Sequence, residues 1–401
     1  MTSIDLQTLG IDLFTSLSSG AQQVRMESLS QKALDTGINK YANGDYEGAA
    51  KEFTRAFGLS PQGPYSRTAA EYMSKAYQQL GEYDKAVKAY QNVIDMNSTD
   101  ADLRTNFGNL LFALGRTEEA EDQYRQAVRI DGGATSRYSL AQAQMANGKY
   151  ADAKDQFESI IAMDRTASQG YYGLGQALAK MGDYEASVSA QKKATTINPE
   201  FYDAWAELGY TYADMGQIDQ AEEIFNFLEE KDQSDLADLL SRYLYEKSPP
   251  KIEAALSSSS FLYTLPAKTP VSALSSYLAS PGATKSFTMK FMFDKQMDAE
   301  SVQNRFNWTI QRSGFTGAGE RYNNGLPIPS TEVEVPMFPE SVVYDPDNFT
   351  ATVTFGIRQL ASSITGTIDP AHMAFKFSGK DSYGNAMDIN GDQYAYATGV
   401  R

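Results

Sequence analysis

Cysteine is absent from the chain, histidine occurs once, and no apolar run approaches the length of a membrane span. The missing cysteine excludes disulfides, thiolate nucleophiles and cysteine-ligated zinc. A spanning helix needs roughly eighteen or more consecutive apolar residues, so no membrane insertion is expected. The first residues, MTSIDLQTLGIDLFTSLSSGAQQ, carry no basic cluster, Arg25 being the first positive charge. They are not read as a Sec-type signal peptide. Basic residues are in deficit: the formal net charge is −16, with 35 Lys and Arg against 51 Asp and Glu. From Lys285 onward there are 10 basic and 13 acidic residues, a net of −3, which leaves −13 for the rest. Such a field repels phosphate backbones and anionic lipids, so nucleic acid is not an expected partner.

No catalytic or cofactor motif surrounds the single histidine, His372, expected on a strand beside Pro370. A catalytic role would need an orienting carboxylate and a nucleophile, and G-x-S-x-G, H-E-x-x-H and H-x-H are all missing. The P-loop pattern and a strand-borne G-x-G-x-x-G are missing too, so no nucleotide site and no cofactor are expected. DINGDQ at Asp388 places Asp388, Asn390 and Asp392 in alternation, but Gln393 and Gly399 stand where a calcium loop needs Gly and a carboxylate. It reads as a polar turn. Glu332 and Glu334 fall on one face of an expected strand, a pairing that chance supplies often. The chain is therefore expected to be non-enzymatic.

What is present is a repeat. NGDYEGAAKEF, LGEYDKAVKAY, LGRTEEAEDQY, NGKYADAKDQF, MGDYEASVSAQ and MGQIDQAEEIF recur along residues 43–225. Their glycines are Gly44, Gly81, Gly115, Gly148, Gly182 and Gly216, mostly 34 residues apart. Each glycine is expected to end a first helix in a left-handed cap, and the residue two further on to start a second helix. A small residue follows (Ala49, Ala86, Ala120, Ala153, Ser187, Ala221) where two helices approach closely. A later aromatic (Phe53, Tyr90, Tyr124, Phe157, Phe225) is expected to pack toward the next repeat, with Gln191 breaking the series. The preceding helix carries W-x-x-L-G-x-x-Y at Trp205, Leu208, Gly209 and Tyr212.

Over roughly residues 30–233 these motifs resemble the tetratricopeptide repeat (TPR) family. The resemblance implies a solenoid of six helical hairpins that binds a protein or peptide partner on its concave face. SDLADLLSRYLYEK at Ser234 reads as a capping helix, with Leu236, Leu239, Leu240 and Tyr243 packing. Family phase puts three rows of side chains in the groove. They are Glu71, Thr105, Tyr138, Tyr172 and Ala206; then Lys75, Asn109, Gln142, Gln176 and Tyr210; then Tyr41, Gln78, Phe112, Met145, Ala179 and Ala213. From these rows Tyr41, Lys75, Asn109, Phe112, Tyr138, Gln142, Met145, Tyr172, Gln176 and Tyr210 are the candidate partner-binding residues. The family's carboxylate-gripping subset resembles a different, Lys- and Arg-rich pattern, and Lys75 is the one cation in the rows. A neutral groove that holds an extended segment or helix by stacking and amide hydrogen bonds is expected.

Residues 1–29 form an N-terminal segment, either a helix with Ile4, Ile11, Phe14 and Leu17 on one side or an export or assembly tail; residues 30–247 form the array. Residues 248–284, rich in Pro and Ser, read as a connector packed on its neighbours. From residue 285 to 401 the period becomes two: SFTMKFMFD, FNWTIQR, TEVEVP, SVVYDP, FTATVTFGI and MAFKFSG. FMFDKQMDAESVQNRFNWTI and FKFSGKDSYGNAMD resemble the bacterial Ig-like domains of surface proteins, which implies an all-β sandwich. The insert at residues 313–330, SGFTGAGERYNNGLPIPS, has no counterpart in that resemblance. The expected function is a protein-interaction scaffold. The alternative is a structural subunit of an exported or cell-surface bacterial assembly, flagellum-type export and self-assembly included, reached without a Sec signal.

Overall fold

A computed structural model describes residues 6–96, 99–314, 319–362, 365–396 and 399–400. The chain divides into two compact units, Met1–Tyr212 with Phe227–Leu236, and Ala213–Asn226 with Ala237–Arg401. Among the described residues the helical region runs α1 (Leu6–Ala42), α2 (Tyr46–Leu59), α3 (Ser66–Gln79), α4 (Tyr83–Met96), α5 (Ala101–Ala113), α6 (Thr117–Asp131), α7 (Ala134–Ala146), α8 (Tyr150–Met163), α9 (Ser168–Met181), α10 (Tyr184–Ile197), α11 (Tyr202–Asp214), α12 (Ile218–Glu230) and α13 (Ser234–Lys247).

The repeat pattern dictates the turns. All six repeat glycines adopt φ between +72° and +82°, a region costly for residues bearing a Cβ. The residue after the glycine donates back to the carbonyl five residues earlier, as Asp45 to Lys40 at 2.9 Å and Lys149 to Gln144 at 2.8 Å. Each second helix then begins two residues past the glycine, whether that residue is Tyr46, Tyr83, Tyr150 or Tyr184, or the substitutes Thr117 and Ile218. The small residues Ala49, Ala86, Ala120, Ala153, Ser187 and Ala221 are fully buried.

Of the later aromatics, Phe53 and Tyr90 reach the first helix of the next repeat. Tyr90 stacks on Phe107 of the next repeat at 5.6 Å, and Phe53 lies 5.5 Å from Tyr72 of the next. Phe53 also presses on Gly37 of its own hairpin and Tyr124 on Gly108 of its own, where an added Cβ would come within 2.6 Å of the ring. At Gln191 an amide replaces the ring; it is fully buried and donates to the Tyr172 carbonyl at 3.2 Å.

Two helical expectations change. The N-terminal segment and the first repeat helix are one continuous helix, α1, so the boundary at residue 30 falls inside an element. The expected face of Ile4, Ile11, Phe14 and Leu17 lies outside the described residues and side chains. On α13 the buried residues are Ala237, Leu240 and Leu244, spaced for one helical face, whereas Leu239 is 46% exposed.

The second unit holds β1 (Ile252–Ala255), β2 (Thr269–Pro270), β3 (Thr284–Phe293), β4 (Trp308–Arg312), β5 (Ser341–Asp345), β6 (Thr350–Arg358), β7 (Thr367–Ile368), β8 (Met373–Phe377), β9 (Gln393–Ala395) and β10 (Gly399–Val400). Two four-stranded antiparallel sheets have the orders β1-β3-β6-β5 and β10-β9-β8-β4, and β2 pairs with β7. Alternation along β3 and β6 buries Phe287, Met289, Phe291, Phe293, Ala351, Val353, Phe355 and Ile357. Across the sheets Phe291 stacks on Trp308 at 5.6 Å, and Phe293 meets Phe377 at 5.5 Å.

The expected connector at residues 248–284 is part of this core. Ile252 pairs with Phe293, and buried Phe261 meets Phe287 at 5.7 Å and Phe355 at 5.1 Å. Val271, Leu274 and Leu278 are buried as well. TEVEVP, expected as a strand, is extended chain held by one bridge of Glu332 to Thr367 and a bond from Val333 N to the Thr367 carbonyl.

The two segments that carry the Ig-like resemblance pair along β4 and β8 and meet again at a buried ion pair. Buried Lys295 pairs with buried Asp381 at 3.3 Å and donates to the carbonyls of Tyr245 and Ser248 at the C-terminus of α13. A cation there satisfies helix-end carbonyls that lack intrahelical partners.

Candidate protein-binding groove

The first helices of the repeats, α3, α5, α7, α9 and α11, carry the rows expected to face a partner. In the N-terminal half, Glu71 accepts from Arg67 Nε at 3.1 Å and, across to the next repeat, from Asn106 Nδ2 at 3.0 Å. Arg67 also pairs with Asp100 and Asp102, at 3.3 and 3.5 Å. Beside this network Glu71, Lys75, Gln78, Asn106 and Asn109 line a cleft of about 290 Å³. Lys75 is exposed and stands 5.2 Å over the Tyr72 ring. Asn109 accepts from Tyr124 Oη at 2.8 Å, and burial raises that phenol to about 12. Phe112 is partly exposed, and Tyr41 is half-buried, edge-on to Tyr46 and Tyr72.

In the C-terminal half Tyr138 is half-buried, 5.8 Å from Phe157, and hydrogen-bonded to Gln142. Met145 packs on the same apolar cluster. Tyr172 lies 4.9 Å from Phe201 and accepts from Gln176 Nε2 at 2.9 Å; the same nitrogen reaches Glu207 at 3.4 Å. Burial, then the negative charges of Glu207 and Asp203, push the Tyr172 phenol well above its ordinary value. Burial and Asp203 act the same way on Tyr138. Tyr210 is half-buried.

Some row members do not line the groove. Ala206 and Ala213 are buried. The residues that single-position phase missed are Asn106 and Glu207, each one position from a row, Asp203, three positions before Ala206, and Phe201, in the loop before α11. The signal was the polar character of these neighbours of the rows.

Elsewhere, other polar groups are paired within the fold. Glu121, with a side chain 1% exposed, takes Arg125, Asn147 Nδ2 at 2.7 Å and Lys149 Nζ at 2.8 Å. Burial raises its carboxyl pKa, but those donors and charges outweigh burial and hold it below the ordinary range. His372 lies in a short turn, Pro370–His372, ahead of β8 rather than on the strand. Its Nδ1 is 2.8 Å from Asp369, and its Nε2 is 2.8 Å from the Gly319 carbonyl. Asp369 also accepts from Asn323 N, and Tyr322 Oη donates to Glu332. These bonds fasten the 313–330 insert to the β unit. Glu332 is largely buried there while Glu334 is exposed. Asp388 pairs with Lys251 and Asp392 with Lys376, at 3.3 and 2.9 Å.

Comparison with known proteins agrees with the helical geometry. Residues 77–145 and 178–243 match one family model described as tetratricopeptide repeat, and residues 138–200 match a second of the same description. A human protein named protein O-mannosyl-transferase TMTC1 is 25% identical over 191 residues, covering 46% of this chain and 20% of that protein. Tetratricopeptide repeat protein 8 of Caenorhabditis elegans is 23% identical over 172 residues, covering 41% of this chain and 33% of that one. The chain thus spans a third or less of the length of these two curated relatives. A tetratricopeptide repeat protein from Parabacteroides merdae is a similar solved structure: TM-score 0.45, 14% identity, covering 55% of this chain and 91% of that one. The helical region therefore carries tetratricopeptide repeats, followed by a β-rich region of antiparallel sheets.

Proposed function

We propose that the chain is a non-enzymatic scaffold whose first-helix groove holds a segment of a partner protein. The carrying observation is that polar side chains of neighbouring first helices are linked across repeats at two places, beside the half-buried tyrosines of the same helices. Glu71 with Asn106 and Gln176 with Glu207 are the links. A surface ordered in this way presents a fixed row of amides, phenols and rings, the inventory that anchors protein interfaces.

We read the second unit as an Ig-like sandwich offering a second contact. Strand order supports the reading. The order β1-β3-β6-β5 corresponds to A-B-E-D of the constant-type Ig fold, and β4, β8 and β9 to C, F and G. A fully buried tryptophan, Trp308, lies on the strand equivalent to C, its Nε1 donating to the Val302 carbonyl at 2.9 Å.

The test is affinity capture with the full chain from both cytosolic and secreted fractions of its own cells. A partner held by the wild type should be lost with Lys75→Glu, Asn109→Lys and Gln176→Lys combined. It should be retained with Lys154→Glu on the second-helix face. Retention by the groove variant would overturn the reading.

A further inference from the structure

We propose that the C-terminal half of this groove takes a cationic segment of the partner, with an arginine or lysine side chain laid against the rings of Tyr138 and Tyr172. The inference rests on the groove reading above and adds the chemistry of its occupant.

Three observations converge, all within the first unit. First, half-buried Tyr138 and Tyr172 stand on consecutive first helices, α7 and α9, and Tyr172 meets half-buried Phe201, in the loop leading into α11, at 4.9 Å. Ring faces are electronegative and attract a cation, and a guanidinium stacks on them as well. Secondly, negative charge lies beside these rings: Asp203 acts on the phenols of Tyr138 and Tyr172, and Glu207, 3.4 Å from Gln176 Nε2, acts on that of Tyr172. An anionic segment would meet repulsion there, and a cationic one attraction. Thirdly, Tyr138 also lines a cleft of about 360 Å³ together with the hydroxyl-bearing Thr135, Ser139, Thr166 and Ser168. That lining offers a peptide backbone hydrogen-bond partners without adding charge. The amides between are already engaged, Gln142 with Tyr138 and Gln176 with Tyr172 and Glu207, so they hold the rings in place. The net charge of −16 adds long-range attraction of the same sign.

The test uses the full chain and a rhodamine-labelled (Gly-Ser-Arg)4 peptide, read by fluorescence anisotropy. Versions carry citrulline, a neutral isostere of arginine, or glutamate. The arginine peptide should bind roughly tenfold more tightly than the citrulline peptide. The preference should shrink as salt is raised toward about 0.5 M. Asp203→Asn, a change at an exposed residue, should weaken arginine binding about threefold and leave citrulline binding unchanged. Tyr172→Phe, which keeps the ring, should retain the preference, and Tyr172→Leu should lose it. Equal binding of arginine and citrulline peptides, both lost in Tyr172→Leu, would overturn the cationic inference and leave the groove reading standing. Arginine binding indifferent to Tyr172→Leu and to Asp203→Asn would overturn both. No binding of the arginine peptide, or tighter binding of the glutamate peptide, also overturns the inference.

Discussion

Replacing Lys295 with methionine keeps the aliphatic stem and removes the ammonium. In the second unit that ammonium is buried against Asp381 at 3.3 Å, the Ser248 carbonyl at 2.6 Å, the Tyr245 carbonyl, and the rings of Tyr245 and Tyr383 at 4.8 and 5.8 Å. Deleting one member of a buried ion pair costs about 3–5 kcal/mol, because the other charge is left uncompensated. Asp381 keeps three donors, Tyr383 N at 3.0 Å, Asn385 N at 2.8 Å and Asn385 Nδ2 at 2.9 Å. Those bonds hold the loss near the lower end, about 3 kcal/mol, and the two helix-end carbonyls account for part of it. The assay is urea unfolding of the full chain in a Trp205→Phe background, so that Trp308 alone reports on the β core. Lys295→Met should lower the midpoint by the equivalent of about 3 kcal/mol. Lys295→Met combined with Asp381→Asn should lose less than the two single changes summed. A loss under about 1 kcal/mol, or strict additivity, would refute the view that this pair fastens α13 to the sheets.

Glu121→Gln is expected to cost about 1–2 kcal/mol at neutral pH, discounted because Arg125 and Lys149 are 40% and 45% exposed. Because the folded-state pKa of Glu121 lies below its unfolded value, its contribution is complete above the ordinary carboxylate pKa. It is lost as pH falls through the folded pKa. Wild type and variant should therefore converge in stability on acidification below the ordinary glutamate value of 4.5, measured by thermal unfolding across pH; a gap that persists or widens there would contradict this. Gln191→Leu should raise stability by about 1 kcal/mol, since the buried Oε1 finds no donor among the described residues. A lower melting temperature for this variant would show that the Nε2 bond to Tyr172 outweighs the buried acceptor.

The helical half was legible because its requirements are local. A left-handed turn demands glycine at Gly44 or Gly148 whatever the distant chain does, and close helices demand Ala49 or Ala153. The groove was half legible. Phase put Lys75, Asn109, Tyr138 and Tyr172 on the first helices, but not which of their neighbours carry the charge, because Asp203 and Glu207 become relevant only through packing against another repeat. The β unit was legible as strands, not as boundaries. Ile252 earns its place in the sheet by pairing with Phe293, and Phe261 by meeting Phe287 and Phe355, partners that a local reading of proline and serine cannot see. Lys295 and Asp381 stand 86 residues apart, and nothing in either motif alone shows that they meet. Alternation in TEVEVP mimics a strand, but among the described residues its pairing is a single bridge to Thr367.

The strand order described for the β unit sets a schedule for synthesis. A TPR hairpin completes its contacts within about one repeat length of emerging, because its turns and helix pairs are close in sequence. The central pairing of β3 with β6 joins Thr284 to Arg358, and β4 pairs Trp308 with Phe377. Closing those long loops carries an entropic cost before any core contact offsets it. On a ribosome the repeats therefore have time to form while β3, with its exposed Phe287, Phe291 and Phe293, waits for β6 and β8 to be made.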